Sequence, residues 1–438
     1  MDIEILQDVI KKARFLGAEA VDLMLVEKKG VSVSTRLTKL ENLTQSEIIN
    51  VDMRVFIGKK SANVVTNNIK ELHGDAFVEK AVAVAKNSPE EVVESRADAS
   101  KLCKNFKEMD IFDSTEVSWE NLLEGAVKCE SIALQVNGIT NSGGAHVENV
   151  LTKTVLLKSE GFVGEYDKSV SGIVIETLGE KDGELQRDYS YSYAVYYADM
   201  KTPEQVALEA ADMTVRKLGA RKVKSCKVPV LFHKRVGRSL LKSMMDALNG
   251  SLVAKGTSFL KDKLSQKVFG DCLNVSDRYD TARGLRSCPF DADGLECVNT
   301  NVISSGVLNS FLLNTKYANK LGMTSTANSS GWDSISPHNI CIENGDKSFD
   351  DLVKSIKSGL FVVDVLGKGL NVITGNYSQG AAGFWIENGE ISYPVHEITI
   401  AGNFIDMFSN CLIGSDLEMS SGFGSPSILL DEMVVGGI

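Results

Sequence analysis

The sequence predicts an α+β protein in two parts: an N-terminal α+β domain over residues 1–222 and a C-terminal antiparallel β-rich domain over residues 223–438. Three observations support this prediction. Several segments of the first half carry apolar residues at helical spacing, separated by runs of β-branched residues. The second half is dominated by short β-like runs and turns, and the whole chain has 37 Gly but 7 Pro. A chain of 438 residues is also long enough for two separate cores.

The first half alternates helical and strand patterns. Apolar residues at helical spacing before Gly17 predict a first helix, which the glycine ends. Strands are predicted over residues 19–26, 31–35, 48–57 and 146–177. Helices are predicted over residues 70–86, 117–134 and 202–218. Pro203 suits the first turn of the last helix, and the polar segment 87–116 is predicted to be a surface excursion.

The second half begins near residues 219–227, where basic residues separate the preceding helix from an apolar strand. A helix is predicted over residues 236–248, ended by Gly250. The β-runs that follow cover residues 302–313, 359–366, 370–374, 381–386 and 391–396. Asn388-Gly389 between the last two runs predicts a hairpin, because both turn positions need positive φ.

Composition excludes several classes of function. A formal charge of −11 repels phosphate backbones, so we expect no nucleic-acid partner. Apolar runs are too short to span a membrane, and acidic residues interrupt the N-terminus before a signal-peptide core could form. The eight cysteines include no C-x-x-C pair, which favours reduced thiols. We therefore expect a cytoplasmic protein.

A long run of the second half resembles a known family. Residues 367–403 read GKGLNVITGNYSQGAAGFWIENGEISYPVHEITIAGN, which is closely similar to the signature of the PmbA/TldE branch of the TldD/PmbA metallopeptidase family. Only Ile373 and His396 are unusual in this comparison. The resemblance implies an N-terminal α+β domain joined to a C-terminal β-rich domain, and family members that pair.

The resemblance also implies where a zinc site would lie. Catalytic TldD-like members carry H-E-x-x-x-H on the first helix of the C-terminal domain and a Cys in a Gly-rich segment near the C-terminus. Here the helix positions read His233-Lys-Arg-Val-Gly-Arg238, and the Gly-rich segment 420–426 has no Cys. Lys234 replaces the base and Arg238 replaces the second imidazole, and neither offers a free electron pair at neutral pH. The resemblance therefore implies no catalytic residue and no metal in this chain, with zinc in a TldD-like partner.

Other candidate roles remain open. Lys234, Arg235 and Arg238 at a helix N-terminus could point into solvent, pair with an acidic partner, or hold a peptide carboxylate. Cys226 could join His233 as a ligand pair, whereas Cys411 reads as a core thiol. Ser378 with His396 would make a serine hydrolase, which the absence of G-x-S-x-G disfavours. By resemblance, a substrate groove would include the following residues, for which core packing is the alternative: Gly375, Tyr377, Gly380, Gly383, Phe384 and Trp385.

The expected function is that of a non-catalytic partner subunit in a TldD/TldE-type zinc metalloprotease complex that cleaves unfolded or small peptides. In relatives this activity is linked with maturing a peptide-antibiotic precursor and degrading an antitoxin. One alternative is a protease-independent homodimeric binding or regulatory protein, similar to a modulator of DNA gyrase. A second alternative is an autonomous metallopeptidase with an unrecognised site. The expected partners are a TldD-like zinc subunit and a peptide, or a second copy of the chain.

Overall fold

The computed structural model, which describes residues 3–91 and 95–438, is an α+β protein, as the sequence predicts. Met1 and Asp2 of the predicted first helix lie outside the described residues, as do positions 92–94 of the predicted excursion. The N-terminal part is one large antiparallel sheet with helices, and the C-terminal part contains two further six-stranded sheets. The predicted division at residues 222 and 223 stays a prediction.

The N-terminal sheet has six antiparallel strands in the order β3-β2-β1-β4-β5-β6. Its strands are β1 Ala20–Arg36, β2 Lys39–Ile57, β3 Lys60–Thr66, β4 Ile139–Lys158, β5 Val163–Lys181 and β6 Glu184–Ala194. Runs predicted as separate strands at 19–26 and 31–35 are one continuous strand, because Gly30 and its neighbours stay paired on both sides.

Four helices cover one face of this sheet. They are α1 Ile3–Phe15, α2 Ala76–Asn87, α3 Trp119–Leu134 and α4 Pro203–Arg216. Odd-numbered residues of β1 meet them: Val21 and Leu25 pack with α1 and α2, and Val33 packs with α3 and α4. Thr202 caps α4 in a reciprocal capping box with Gln205. The period-two pattern of β1 therefore separates a helix-covered face from a second face.

The second face of the sheet packs against the C-terminal part. Met24 and Leu156 from the sheet lie in one apolar cluster with Phe290 and Trp332 from the C-terminal part. Residues of the predicted surface excursion also enter this cluster, since Leu102 and Cys103 are buried in it. Buried residues such as Leu102 and Cys103 thus hold this segment against the rest of the protein. Its mainly polar composition does not predict their burial.

The C-terminal part is built from short elements. Its strands are β7 Cys226–Phe232, β8 Val275–Arg278, β9 Thr300–Ser304, β10 Val307–Leu308, β11 Ser329–Gly331, β12 Ser334–Ile335, β13 Asn339–Ile342, β14 Ser358–Leu366, β15 Asn376–Glu387, β16 Glu390–Asn403, β17 Cys411–Ile413, β18 Glu418–Ser420, β19 Phe423–Ser425 and β20 Ile428–Gly436. Its helices are α5 Lys234–Leu248, α6 Gly250–Ala254, α7 Thr315–Leu321, α8 Phe349–Lys354 and α9 Phe404–Met407. Short 3-10 turns in the whole chain cover Ile69–His73, Ala99–Lys101 and Tyr197–Asp199.

One sheet of this part closes on itself. It runs β16-β15-β14-β7-β20-β17, and β16 also pairs with β20, so β7, β14, β15, β16 and β20 form a ring. The other sheet runs β10-β9-β8-β13-β19-β18. Pairing is antiparallel except at β14 with β7 and at β13 with β19. Helix α5 follows β7 directly and packs into the largest apolar core, through Leu240 and Met244.

Several local predictions are confirmed and others are wrong. Asn388 and Gly389 have φ of 51° and 80° and join β15 to β16, as the hairpin signal predicts. Gly250 does not end the helical region but begins α6, because Asn249 caps the new helix through Ser251 N–H. The predicted strand at 370–374 is a loop with one isolated bridge at Leu370. In the described residues, no helix is long and apolar enough to cross a membrane.

Candidate functional site

His233 stands where β7 ends and α5 begins. Its backbone is extended, and its ring Nδ1 accepts the Arg235 backbone N–H at 3.3 Å, which caps the helix. Burial lowers the pKa of His233 to about 4, and the charges of Arg235 and Lys234 add to that effect. The imidazole is therefore neutral near pH 7, with Nδ1 committed to the helix cap.

Arg235 forms a buried ion pair with β6. Its guanidinium reaches both carboxylate oxygens of Asp188, at 2.6 and 2.8 Å, and Lys217 approaches the same carboxylate at 2.7 Å. Arg235 Nε also donates to the Val363 carbonyl at 2.6 Å. Burial alone would raise the pKa of Asp188, but the hydrogen bond and charge of Arg235, with the charge of Lys217, hold that pKa below its ordinary value.

Lys234 and Arg238 share a second carboxylate. Glu418 on β18 lies 2.5 Å from Lys234 Nζ and 3.6 Å from Arg238 Nη1. Arg238 is 7% exposed, and its Nη2 lies 3.3 Å from the Tyr191 hydroxyl. The three cations at the helix N-terminus are thus each ion-paired within the chain, with Asp188 or Glu418. Because Lys217 also pairs with Asp188, the cluster keeps an excess of positive charge. Arg235 and Arg238 are therefore not solvent-exposed, contrary to one of the sequence-based alternatives. Pairing of the basic residues with an acidic partner or a peptide carboxylate stays a prediction.

These residues line a cavity of about 280 Å³. Its wall combines His233, Lys234, Arg235, Arg238 and Glu418 with the β6 tyrosines. Zinc needs lone pairs from imidazole, thiolate or carboxylate, whereas the His233 Nδ1 lone pair is used in the helix cap. Each carboxylate that lines the cavity is already ion-paired: Glu418 with Lys234 and Arg238, Glu209 with Lys201, and Asp212 with Arg216. With Lys234 and Arg238 beside the histidine, the residues present do not fit a zinc ion. The arrangement can bind and orient polar groups.

The Gly-rich C-terminal segment packs directly on α5. A Cβ on Gly237 would lie 2.2 Å from Ser425 Oγ and 3.0 Å from the Pro426 carbonyl. The glycine therefore lets β19 approach the helix, and β18 beside it brings Glu418 to the basic residues. The resemblance implies a zinc-binding Cys in this Gly-rich segment of catalytic members. In this chain the segment has no Cys, and the adjacent strand β18 places the Glu418 carboxylate beside α5.

The predicted groove residues lie on β15 and the loop before it. Tyr377 is 2% exposed and donates to Gln379 Oε1 at 2.6 Å, and Phe384 is 3% exposed against Phe361. A Cβ on Gly383 would lie 1.9 Å from the Phe361 carbonyl, so this glycine serves a close backbone approach. Tyr377 and Phe384 are therefore packed in the core, which is the alternative that the sequence leaves open for them.

Three groove candidates have other surroundings. Gly375 has φ of 77° and is buried at a turn. Gly380 and Trp385 are half-buried and keep exposed surface. A groove along these residues stays a prediction.

The remaining candidates do not assemble. Cys226 and His233 lie at opposite ends of β7, roughly 20 Å apart at the rise of an extended strand, so they cannot share a metal. Ser378 pairs with Ala401, five residues from His396 and roughly 16 Å away, so the hydrolase pair is also wrong. Cys411 is buried in the core, with its sulfur 3.1 Å from that of Cys272.

The sequence does not identify Asp188 and Glu418 as the acids that pair with the basic residues of α5. Asp188 lies between Arg187 and Tyr189 on a strand, and Glu418 lies in a polar turn region, so neither has a spacing that marks it. The family resemblance implies that Lys234 and Arg238 stand where catalytic members carry a base and a second imidazole. It gives no sign of which acids neutralise the replacements.

The fold and this site define a metallopeptidase-like protein. Profiles of the PmbA/TldA metallopeptidase match three stretches of the chain: domain 1 at residues 21–85, the central domain at 112–218 and the C-terminal domain at 225–437. The chain belongs to the PmbA/TldD metallopeptidase family.

Relatives resemble the chain over its whole length. The Metalloprotease PmbA of Escherichia coli O157:H7 is 31% identical over 99% of this chain and 96% of the relative. A Metalloprotease PmbA homolog of Haemophilus influenzae is 31% identical over 98% of this chain and 94% of its own length. A Bacteroides thetaiotaomicron crystal structure, described as a candidate modulator of DNA gyrase, superposes with a TM-score of 0.92 at 25% identity, covering 99% and 98% of the two chains. TldE of Thermococcus kodakarensis shares the fold, with a TM-score of 0.88 at 18% identity over 99% of this chain and all of the other.

Proposed function

We propose that this chain is the non-catalytic partner subunit of a TldD/TldE-type zinc metalloprotease complex in the cytoplasm, which cleaves unfolded or small peptides. One observation carries the proposal. The positions that hold the base and the second imidazole in catalytic relatives are Lys234 and Arg238, and both are ion-paired with Glu418. A chain with this arrangement cannot activate water there, so cleavage needs a second subunit.

In the complex, the TldD-like subunit would supply zinc, the general base and the attacking water. This chain would shape the groove that holds the peptide. Gly380 and Trp385 keep exposed surface for that purpose. The names of the full-length relatives, which are metalloproteases, support a role in proteolysis.

The test is reconstitution with the TldD-like protein of the same genome. We expect cleavage of β-casein or a model peptide by the mixture and none by this chain alone. Exchanging Glu for Gln in the partner's H-E-x-x-x-H should abolish cleavage, whereas His233→Asn in this chain, which keeps a helix-capping side chain, should leave cleavage in place. Chelator-sensitive cleavage by this chain alone would refute the proposal.

A second candidate is a protease-independent homodimer that binds and regulates another protein. It is favoured by two solved relatives, from Bacteroides thetaiotaomicron and Thermotoga maritima, described as candidate modulators of DNA gyrase. Sedimentation of the chain alone and with the TldD-like protein separates the candidates. A homodimer that neither binds that protein nor changes its activity would support the second candidate.

A further inference from the structure

Three side chains that bind soft metal ions meet beside the apolar cluster between the N-terminal sheet and the C-terminal part. They are Cys288, Cys297 and His338, and their ligand atoms all lie within 4.8 Å of one another. Across residues 3–91 and 95–438, no other group of three His, Cys, Asp or Glu side chains is this compact. None of the three belongs to the degenerate motif at α5.

The two cysteines are held by a stiff turn. Phe290 pairs with Glu296 between them, and the Asp291 carboxylate accepts the Asp293 and Leu295 backbone N–H groups at 3.0 and 2.9 Å. The two sulfurs are 3.9 Å apart. Two thiolates bound to tetrahedral zinc at about 2.3 Å would stand about 3.8 Å apart. The turn therefore holds the thiols at the separation that zinc requires.

His338 is oriented by a buried carboxylate. Its Nδ1 lies 3.1 Å from Asp277 Oδ2, and Asn328 donates to the same oxygen at 3.0 Å. His338 is 5% exposed and Asp277 2% exposed, and Asp277 Oδ1 has no hydrogen-bond partner within the protein. A carboxylate on Nδ1 fixes the imidazole, which is the usual arrangement behind a metal-bound histidine. The His338 side chain is also hydrogen-bonded to Cys288, so the ring already faces one of the two thiols. A divalent ion would also balance this buried negative charge.

The cluster opens on one side only. Cys297 is 1% exposed, whereas Cys288 and His338 line a cavity of about 550 Å³ between the N-terminal sheet and the C-terminal part. Tyr166 and Lys168 of β5 line the opposite wall. A fourth coordination position would face this cavity. An oxygen ligand there, water or a carboxylate, would lie in a cavity that contains the ammonium group of Lys168.

We propose that Cys288, Cys297 and His338 form a binding site for a zinc-like divalent ion, with Asp277 as the positioning residue of His338 and one open position facing the cavity. Two thiolates and an imidazole are ligands that zinc prefers. The alternative for two thiols this close is a disulfide bond between them. The carboxylate-bound histidine beside them distinguishes this cluster from the Cys272–Cys411 pair, whose sulfurs are 3.1 Å apart.

The experiment is a titration of the reduced, full-length chain with Co²⁺ under anaerobic conditions, followed by displacement with Zn²⁺. We expect one Co²⁺ per chain, a sulfur-to-cobalt charge-transfer band and the visible bands of a tetrahedral site. Each of Cys288→Ser and Cys297→Ser should reduce the charge-transfer band by about half, and His338→Gln should shift the visible bands. The matched control, Cys272→Ser with Cys411→Ser, removes an equally close thiol pair and should leave the spectrum unchanged.

Two outcomes would overturn the site. One is the absence of a charge-transfer band in the reduced wild-type chain, a result that needs no folded variant. The other is a band that survives Cys288→Ser and disappears in the Cys272/Cys411 control. His233→Asn should leave the cobalt spectrum intact, so the result is independent of whether the chain partners a protease.

Discussion

The two polar clusters of the C-terminal part differ in which atoms they present. At the start of α5, Lys234, Arg235 and Arg238 surround one histidine, and each is ion-paired with one of two carboxylates. At the other cluster, two thiols and an imidazole converge within 4.8 Å, and the two sulfurs are 3.9 Å apart. The first cluster is dominated by ion pairs, and the second by donor atoms that zinc prefers.

The difference shows that an inherited position does not determine chemistry. The α5 N-terminus has one histidine as its cap and cations around it, where the family resemblance implies metal donors in catalytic members. The cysteine cluster has no local motif, since its histidine is distant in sequence from both thiols. Metal binding follows the donor atoms that the fold brings together.

The largest effect is expected for Asp188→Asn. This change leaves Arg235 and Lys217 without their shared buried carboxylate, which should cost about 3–5 kcal/mol of the free energy of unfolding. Urea denaturation measures this. The control is Asp8→Asn on α1, which removes an exposed pair with Lys11 and should change stability by less than about 0.5 kcal/mol. Equal effects for the two variants would mean that the basic cluster is not held by Asp188.

The next effect is a pH dependence that comes from His233. Its pKa is about 4 when folded and 6.5 when unfolded, so between these values the unfolded chain binds a proton that the folded chain does not. Stability is fully present above pH 6.5 and is lost as pH falls towards 4, by on the order of 3 kcal/mol. His233→Asn keeps the cap and should flatten this part of the stability profile. An unchanged profile would show that the imidazole is not buried in its neutral form.

The smallest effect concerns the contact of α5 with the Gly-rich segment. Gly237→Ala places a Cβ against Ser425 and Pro426 and should destabilise the chain by about 1–3 kcal/mol. Gly125→Ala in α3 is the matched control, since its nearest neighbour is Pro203 at 3.9 Å. It should be stabilising by about 0.5–1 kcal/mol, because alanine favours the helix. Thermal unfolding of both variants checks the sign of each effect.

The sequence predicts much of the fold because the strong signals are local. Residues within a few positions of each other predict three elements: the helix capped by Thr202, helix α3 and the Asn388-Gly389 hairpin. The continuity of β1 through Gly30 and the ring closure of β16 on β20 depend on pairing between distant segments. Those pairings leave no periodic trace, so they appear only in the structure.

The candidate site also has features that the sequence predicts and features that appear only in the structure. The family resemblance implies its position at His233, Lys234 and Arg238 and the absence of the expected zinc ligands there. The acids that neutralise them come from β6 and β18, distant in sequence. The groove residues show a further limit of prediction from sequence. Their aromatic and glycine pattern is compatible with a binding surface and with a core. Tyr377 and Phe384 are buried because distant strands pack around them, which the sequence does not show.

The most direct test of this contrast is to locate zinc in crystals of the reduced chain by anomalous diffraction at the zinc absorption edge. We predict one peak in contact with Cys288, Cys297 and His338, and no peak within bonding distance of His233. A peak at His233, with the ion pairs of Lys234 and Arg238 broken, would contradict the account of both clusters. It would also return the chain to the class of autonomous metallopeptidases.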